Sequence, residues 1–267
     1  MFSIILVRLP RTPVMRIARV ASRIFCLRMS WEKRSRPGAS PLNPLPSDSK
    51  VASGKMPQGI AKALESKGLG FQVHAPICDW NPAAMSDRLR EASVKETLAT
   101  VAAASEMGAR MVTVHPGLTS MSVPGLEERA VARAKESLRM MGRVVCEYDL
   151  TVAIENMPAF PFFLGRTAEQ LADIVDGTDF GICFDIGHAN TMGQIDAMID
   201  TFGDRIVNIH IHDNHGETDE HLTIGDGDID FAHVIRRMSG YRGNWIIESK
   251  SMGSAVQSLP RLQKMLS

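Results

Sequence analysis

The chain has 267 residues, 44% of them hydrophobic, enough to bury a substantial core. It carries 30 basic and 30 acidic residues, but residues 1–55 hold eleven Lys/Arg and only two Asp/Glu, which leaves the remainder at −9. An acidic body makes nucleic acid an unfavourable partner, and no apolar run approaches the roughly 18 residues that a membrane helix needs. Four cysteines without CxxC or framework spacing read as reduced thiols, so the expected location is cytoplasmic.

Residues 1–55 differ in composition from everything after them. They are rich in arginine, then in Pro and Ser from Arg36 to Pro46. A basic, disordered and removable leader is expected here, ahead of an organellar transit peptide, a degenerate first part of the fold or an incorrect gene start, with Ser40 to Lys55 as the linker. The domain proper is expected at residues 56–267.

From Met56 onward, short apolar runs alternate with helix-forming stretches. Ile60 to Lys67 reads as a helix ended by Gly68 and Gly70, and Phe71 to His74 as a strand. Ala84 to Met107 reads as a helix with the apolar stripe Leu89, Val94, Leu98 and Val101. Met111 to His115 is a strand, Leu126 to Tyr148 a long helix, and Thr151 to Glu155 a strand. Thr167 to Val175 is a helix opened by a capping box of Thr167 and Gln170. Phe180 to Asp185 is a strand, Ile195 to Phe202 a helix and Ile206 to His212 a strand. Phe231 to Met238 is a helix, Asn244 to Glu248 a strand, and Ser254 to Leu266 the last helix. Six such β-α units imply a parallel sheet covered by helices.

Each strand ends in a side chain that can bind metal or move a proton. In order these are His74, His115, Glu155, Asp185 with His188 three residues on, His210 and Glu248. The carboxyl ends of parallel strands share one edge. In a closed barrel that edge is a ring, so six distant groups meet at one point. An open sheet would spread them over about 25 Å. The stretch Ile206 to Asp228 adds a Gly-rich loop in which Asp219 and His221 stand two residues apart. Mixed imidazole and carboxylate groups suit zinc, manganese, iron or cobalt better than calcium or magnesium. Taken singly, His74 and His115 fit hydrogen-bonded loop histidines, Glu155 and Glu248 fit salt-bridged strand ends, and Asp185 fits a turn cap. His215 and His233 read as surface residues.

These pieces carry a family resemblance. His74-Ala75-Pro76, Val114-His115-Pro116-Gly117, Ile154-Glu155-Asn156, Phe184-Asp185-Ile186-Gly187-His188, His210-Ile211-His212-Asp213, Asp219 to Gly227, and Ile247-Glu248 form a specific set. The chain from about Met56 resembles the xylose isomerase-like TIM barrels, a superfamily that also contains endonuclease IV. The resemblance implies a (β/α)8 barrel, with the first two β-α units atypical or missing in residues 1–55. It implies that Glu155, Asp185, His210 and Glu248 ring one divalent metal. Endonuclease IV members hold three zincs, with added groups that match His74, His115, His188, Asp219 and His221. The cofactor implied is one to three ions of zinc, manganese, cobalt or magnesium. His212 stands where that nuclease has asparagine, Ile186-Gly187 replaces its small polar pair, and the loop from His210 to Asp219 is shorter. The sequence does not choose between His210 and His212 as the ligand.

The leading functional expectation is a metal-dependent isomerase or epimerase of a sugar or sugar phosphate, with Glu155 and Glu248 moving a proton through an enediolate. The alternatives are a trinuclear zinc phosphodiesterase on abasic DNA and a barrel that binds metal for structure alone. The substrate, the metal and the oligomeric state are not written in the sequence.

Overall fold

The computed structural model describes residues 3–7, 62, 66 and 70–267, apart from 78 and 120–122. Elements follow in chain order: β1 (Ser3–Val7), β2 (Gly70–His74), α1 (Asp87–Glu106), β3 (Met111–Val114), α2 (Leu126–Val145), β4 (Thr151–Glu155), α3 (Ala168–Val175) and β5 (Gly181–Asp185). Then come α4 (Ile186–Thr191), α5 (Ile195–Phe202), a 3-10 turn (Gly203–Arg205), β6 (Ile206–Ile211), α6 (Phe231–Arg237), β7 (Asn244–Ile247) and α7 (Met252–Leu266).

The strands form one sheet in chain order, β1 to β7. Neighbours from β2 to β7 pair in parallel, which makes six parallel strands with their helices, a partial TIM barrel. Crossover helices join parallel neighbours, so the strands are covered and mostly apolar. The sheet curls far enough that β1 comes within 8 Å of β7 between Cα atoms.

Strands β2 to β7 lie within a residue or two of the expected ones, and α1 to α3 and α5 to α7 within three. The helix expected from Ile60 to Lys67 lies largely outside the described residues, as do Cys26 and Cys78; Cys146 and Cys183 are free thiols. Three expectations need correcting. Leu89 was placed on the apolar stripe of α1 but is 64% exposed, while Val94, Leu98, Val101 and Ala104 face the core. The capping box is only half made. Thr167 accepts from Gln170 N–H, but the Gln170 side chain is engaged by Gly165 N–H and Glu127 instead. Finally, α4 follows β5 without a gap and was not foreseen. It forms because the Asp185 side chain caps it, accepting from His188 N–H at 2.7 Å.

Ser3–Val7 lies inside the stretch expected to be a leader, and it is an edge strand antiparallel to β2, with Ser3 opposite His74. We therefore propose the boundary at residue 55 with that strand as a contribution from the leader. Deleting residues 1–50 should leave the five parallel pairings intact but strip the edge of β2, and an unpaired edge invites association. The truncated chain is expected to keep its far-UV circular dichroism and to scatter light at lower protein concentration. Loss of the dichroism would show that the leader is integral to the fold.

Below the carboxyl ends the sheet's concave face is partly polar. Residues two apart share a face, so Cys183 underlies Asp185 and Asn208 underlies His210. Asn208 accepts a hydrogen bond from Gln72 Nε2 at 3.1 Å, and all three side chains are buried. Around the outside, α2 turns Ala130, Ala134, Leu138 and Met141 inward at helical spacing, and all four are buried.

Candidate metal centre

The nine residues singled out from the sequence all reach the carboxyl edge of the sheet. His74, Glu155, Asp185 and His210 come from the ends of strands, and His115 and Glu248 from the first residue after one. His188 stands in α4, and Asp219 and His221 in the loop between β6 and α6. They fall into groups whose ligand-type atoms lie within 4.8 Å of one another.

The central group is Glu155, Asp185, His210 and Glu248. Register explains it, because Asp185 pairs with His210 across β5 and β6. His210 Nδ1 lies 2.7 Å from Glu155 Oε1 and 2.9 Å from Glu248 Oε1. One ring N–H serves one of these carboxylates, not both. Asp185 uses Oδ1 on its cap, while Oδ2 is buried without a hydrogen-bond partner. Three carboxylates this close repel unless positive charge is shared among them. Burial works against charge on Glu155 and Glu248. The histidines outweigh it, holding Glu155 well below the usual carboxylate range and Glu248 at about 2.

The second group is His74, His115 and Glu155. Both Nε2 atoms face Glu155 Oε2, at 3.0 and 2.9 Å. His74 has already committed its Nδ1–H to the Ala75 carbonyl at 2.8 Å. A neutral His74 thus presents a lone pair to a carboxylate oxygen, an arrangement that a cation between them would relieve. Donation of the remote N–H to a carbonyl is also how metal-ligating histidines are usually oriented.

The third group is His188, His212, Asp219 and His221. Asp219 sits among three imidazoles, 3.5 Å from His188 Nε2, 3.4 Å from His212 Nε2 and 3.1 Å from His221 Nε2. His188 Nδ1 is committed to the Asn156 carbonyl at 2.9 Å. Burial lowers the His188 pKa, but Asp185 and Asp219 more than offset this and push it up to about 10. Asp219 Oδ1 and both His212 nitrogens in this group, and Asp185 Oδ2 and His210 Nε2 in the central one, are buried without hydrogen-bond partners. Buried polar atoms without partners are costly, and a cation shared among these side chains would satisfy them. His, Asp and Glu side chains here could therefore hold a divalent metal.

The structure separates the two histidines that the sequence left level. His210 joins the central group and His212 the third. His212 is fully buried and stacks on His221 with ring centroids 3.9 Å apart. A Cβ at position 187 would stand 2.0 Å from His212 Cε1, so glycine there is what admits the ring. His215 and His233 are exposed, paired with Glu220 and Asp196 at 2.8 Å each.

Two organising residues were not singled out. Asn156 ties β4 to β5, donating to the Asp185 carbonyl at 2.9 Å and accepting from Asp185 N–H at 2.8 Å. Asp213, fully buried, accepts from Gly225, Asn214 and Ile229 N–H at 2.8, 3.0 and 3.3 Å. It thereby shapes the loop that carries Asp219 and His221. Both lie inside quoted motifs, which was the only signal available.

Comparison with known proteins places the chain in a family. The family model described as xylose isomerase-like TIM barrel matches residues 37–266, and the chain belongs to that family. An uncharacterised protein of Methanocaldococcus jannaschii is 37% identical over 206 residues, 73% of this chain and 69% of that one. A crystal structure titled D-tagatose 3-epimerase-like protein is 33% identical with a TM-score of 0.75, covering 80% of this chain and 83% of its own. A protein of Mycobacterium tuberculosis named probable endonuclease 4 is 30% identical over 208 residues, 74% of this chain and 79% of that one. The relatives thus carry both epimerase-like and endonuclease names, and no helix among the described residues is long and apolar enough to cross a membrane.

Proposed function

We propose that the protein is a divalent-metal-dependent isomerase or epimerase acting on a sugar or sugar phosphate. One observation carries this reading: Glu155 and Glu248, from β4 and from the end of β7, converge on the same His210 nitrogen. Glu155, Asp185, His210 and Glu248 would hold the ion; the other two groups would hold up to two more. Zinc, manganese, cobalt and magnesium all fit carboxylate-rich ligation, with zinc and manganese favoured by the imidazoles. A bound ion supplies Lewis acidity toward a substrate carbonyl. The proton work falls to the glutamates. Glu248, with its side chain 23% exposed, faces the mouth, and Glu155, at 1%, lies deeper. One would remove a proton beside the carbonyl and the other return it, through an enediolate. Incubation with ketoses in deuterium oxide should place deuterium on the carbon next to the carbonyl. Failure across hexoses, pentoses and their phosphates at full metal loading would end this reading.

A second reading is a trinuclear zinc phosphodiesterase on abasic DNA. The placement of all nine residues within three of four groups of ligand-type side chains among the described residues (the fourth is Glu155, Cys183 and His210) favours it, as does the relative named probable endonuclease 4. The body's charge of −9 opposes it. Salt-sensitive binding and incision of an abasic duplex by the zinc-loaded protein would put it first.

A further inference from the structure

The loops at the carboxyl edge hold almost no basic charge. After β2, β3 and β4 they run through residues 75–86, 115–125 and 156–167, where the only charged residues are Asp79 and Arg166. Arg166 is spent on Glu127, at 2.9 Å, and on the Phe163 carbonyl, at 2.9 Å. The loop from His212 to Asp230 contains acids and no Lys or Arg, and residues 248–251 after β7 contribute only Lys250. A phosphate group normally meets Arg, Lys or clustered backbone N–H groups. Among the described residues, these loops offer it almost no Arg or Lys side chain.

Much of what these three loops expose is apolar. Ile77, Val123, Phe160 and Phe162 are each 40% to 52% exposed. Phe160 and Phe162 stack with centroids 5.7 Å apart and planes 14° from parallel. Phe163 connects them to the metal groups, with its centroid 6.2 Å from that of His115 and its ring edge-on. The aromatic loop is held firmly. Thr119 N–H donates to the Phe162 carbonyl at 2.8 Å, Leu164 N–H to the Gly117 carbonyl at 3.1 Å, and Phe163 N–H to the Phe160 carbonyl at 3.0 Å. A fixed pair of exposed rings continuous with the reaction centre is a surface for the C–H face of a ligand.

Resting on the isomerase or epimerase reading, we infer that the substrate is uncharged at the end remote from the metal groups. Phe160 and Phe162 take the apolar face of an unphosphorylated sugar. The test uses manganese-loaded protein with D-fructose, D-tagatose and D-fructose 6-phosphate, by titration calorimetry and by turnover. The neutral ketoses should bind at least about tenfold more tightly than the phosphate. Phe162→Ala and Phe160→Ala alter exposed side chains and should melt normally. Each should weaken neutral ketose binding and raise KM by about three- to tenfold, the scale of aromatic contacts, with kcat within about twofold. Val256→Ala, exposed on α7, should change neither. Tighter binding of the phosphate would overturn the inference and point to basic side chains from the N-terminal segment at the mouth. Unchanged ketose binding in both Phe variants would overturn it too, and if they also dissociate a dimer the patch is an interface between copies. Ketose binding that depends on Phe162, without turnover, would sink the isomerase reading and leave this one standing.

Discussion

Glu155→Gln and Glu248→Gln should each cut turnover by about 10²–10⁴, the usual cost of losing a general base. The substitution keeps the shape and one carbonyl oxygen but removes charge and basicity. At position 155 the new amide would sit 1% exposed among His74, His115 and His210, where an N–H₂ group faces ring nitrogens in place of an acceptor. Metal affinity is therefore expected to fall more for Glu155→Gln than for Glu248→Gln, because Glu155 serves two of the groups. Turnover must be compared at equal metal content, measured by elemental analysis. His233→Gln is the control, since His233 lies on α6 and pairs with Asp196 away from the site. Near-normal rates in either glutamate variant would take that residue out of the mechanism.

Asp213→Ala should be among the most destabilising single changes in the loop after β6. Its carboxylate takes three backbone N–H groups, and alanine would leave them without an acceptor. Each buried donor left unsatisfied costs about 1–3 kcal/mol, so a loss of about 3 kcal/mol or more is expected in urea unfolding. Gly227 is packed against the same carboxylate, where a Cβ would stand 2.5 Å from Asp213 Oδ1. The loop has no slack to compensate. Because it presents Asp219 and His221, the variant should also bind fewer ions per chain, with those lost belonging to the third group. Unchanged stability would mean that the pairing of Asp213 with Leu222, through two backbone hydrogen bonds, holds the loop by itself.

Much of the parallel sheet was legible because two periodicities alternate along the chain. Strands such as Thr151–Glu155 and Gly181–Asp185 are short apolar runs stopped by one acid, and helices such as Leu126–Val145 carry apolar residues at helical spacing. Parallel order then sends every strand's last residue to one edge, so the convergence of His74, Glu155, Asp185, His210 and Glu248 followed from local pattern and chain direction. The sequence by itself determined the ring. What it lacked was the partition of that ring. His210 and His212 are two apart and share a face, so only the register, which sets Asp185 opposite His210, assigns them to different groups. α4 was hidden because its helical signal is one cap bond from Asp185, and β1 because five residues of pairing are invisible inside a basic segment. Asp213 looks like any loop acid until the chain folds back and brings Gly225 and Ile229 to it. These are long-range contacts, and only the tertiary structure fixes them, because their energy comes from partners that the local sequence does not specify.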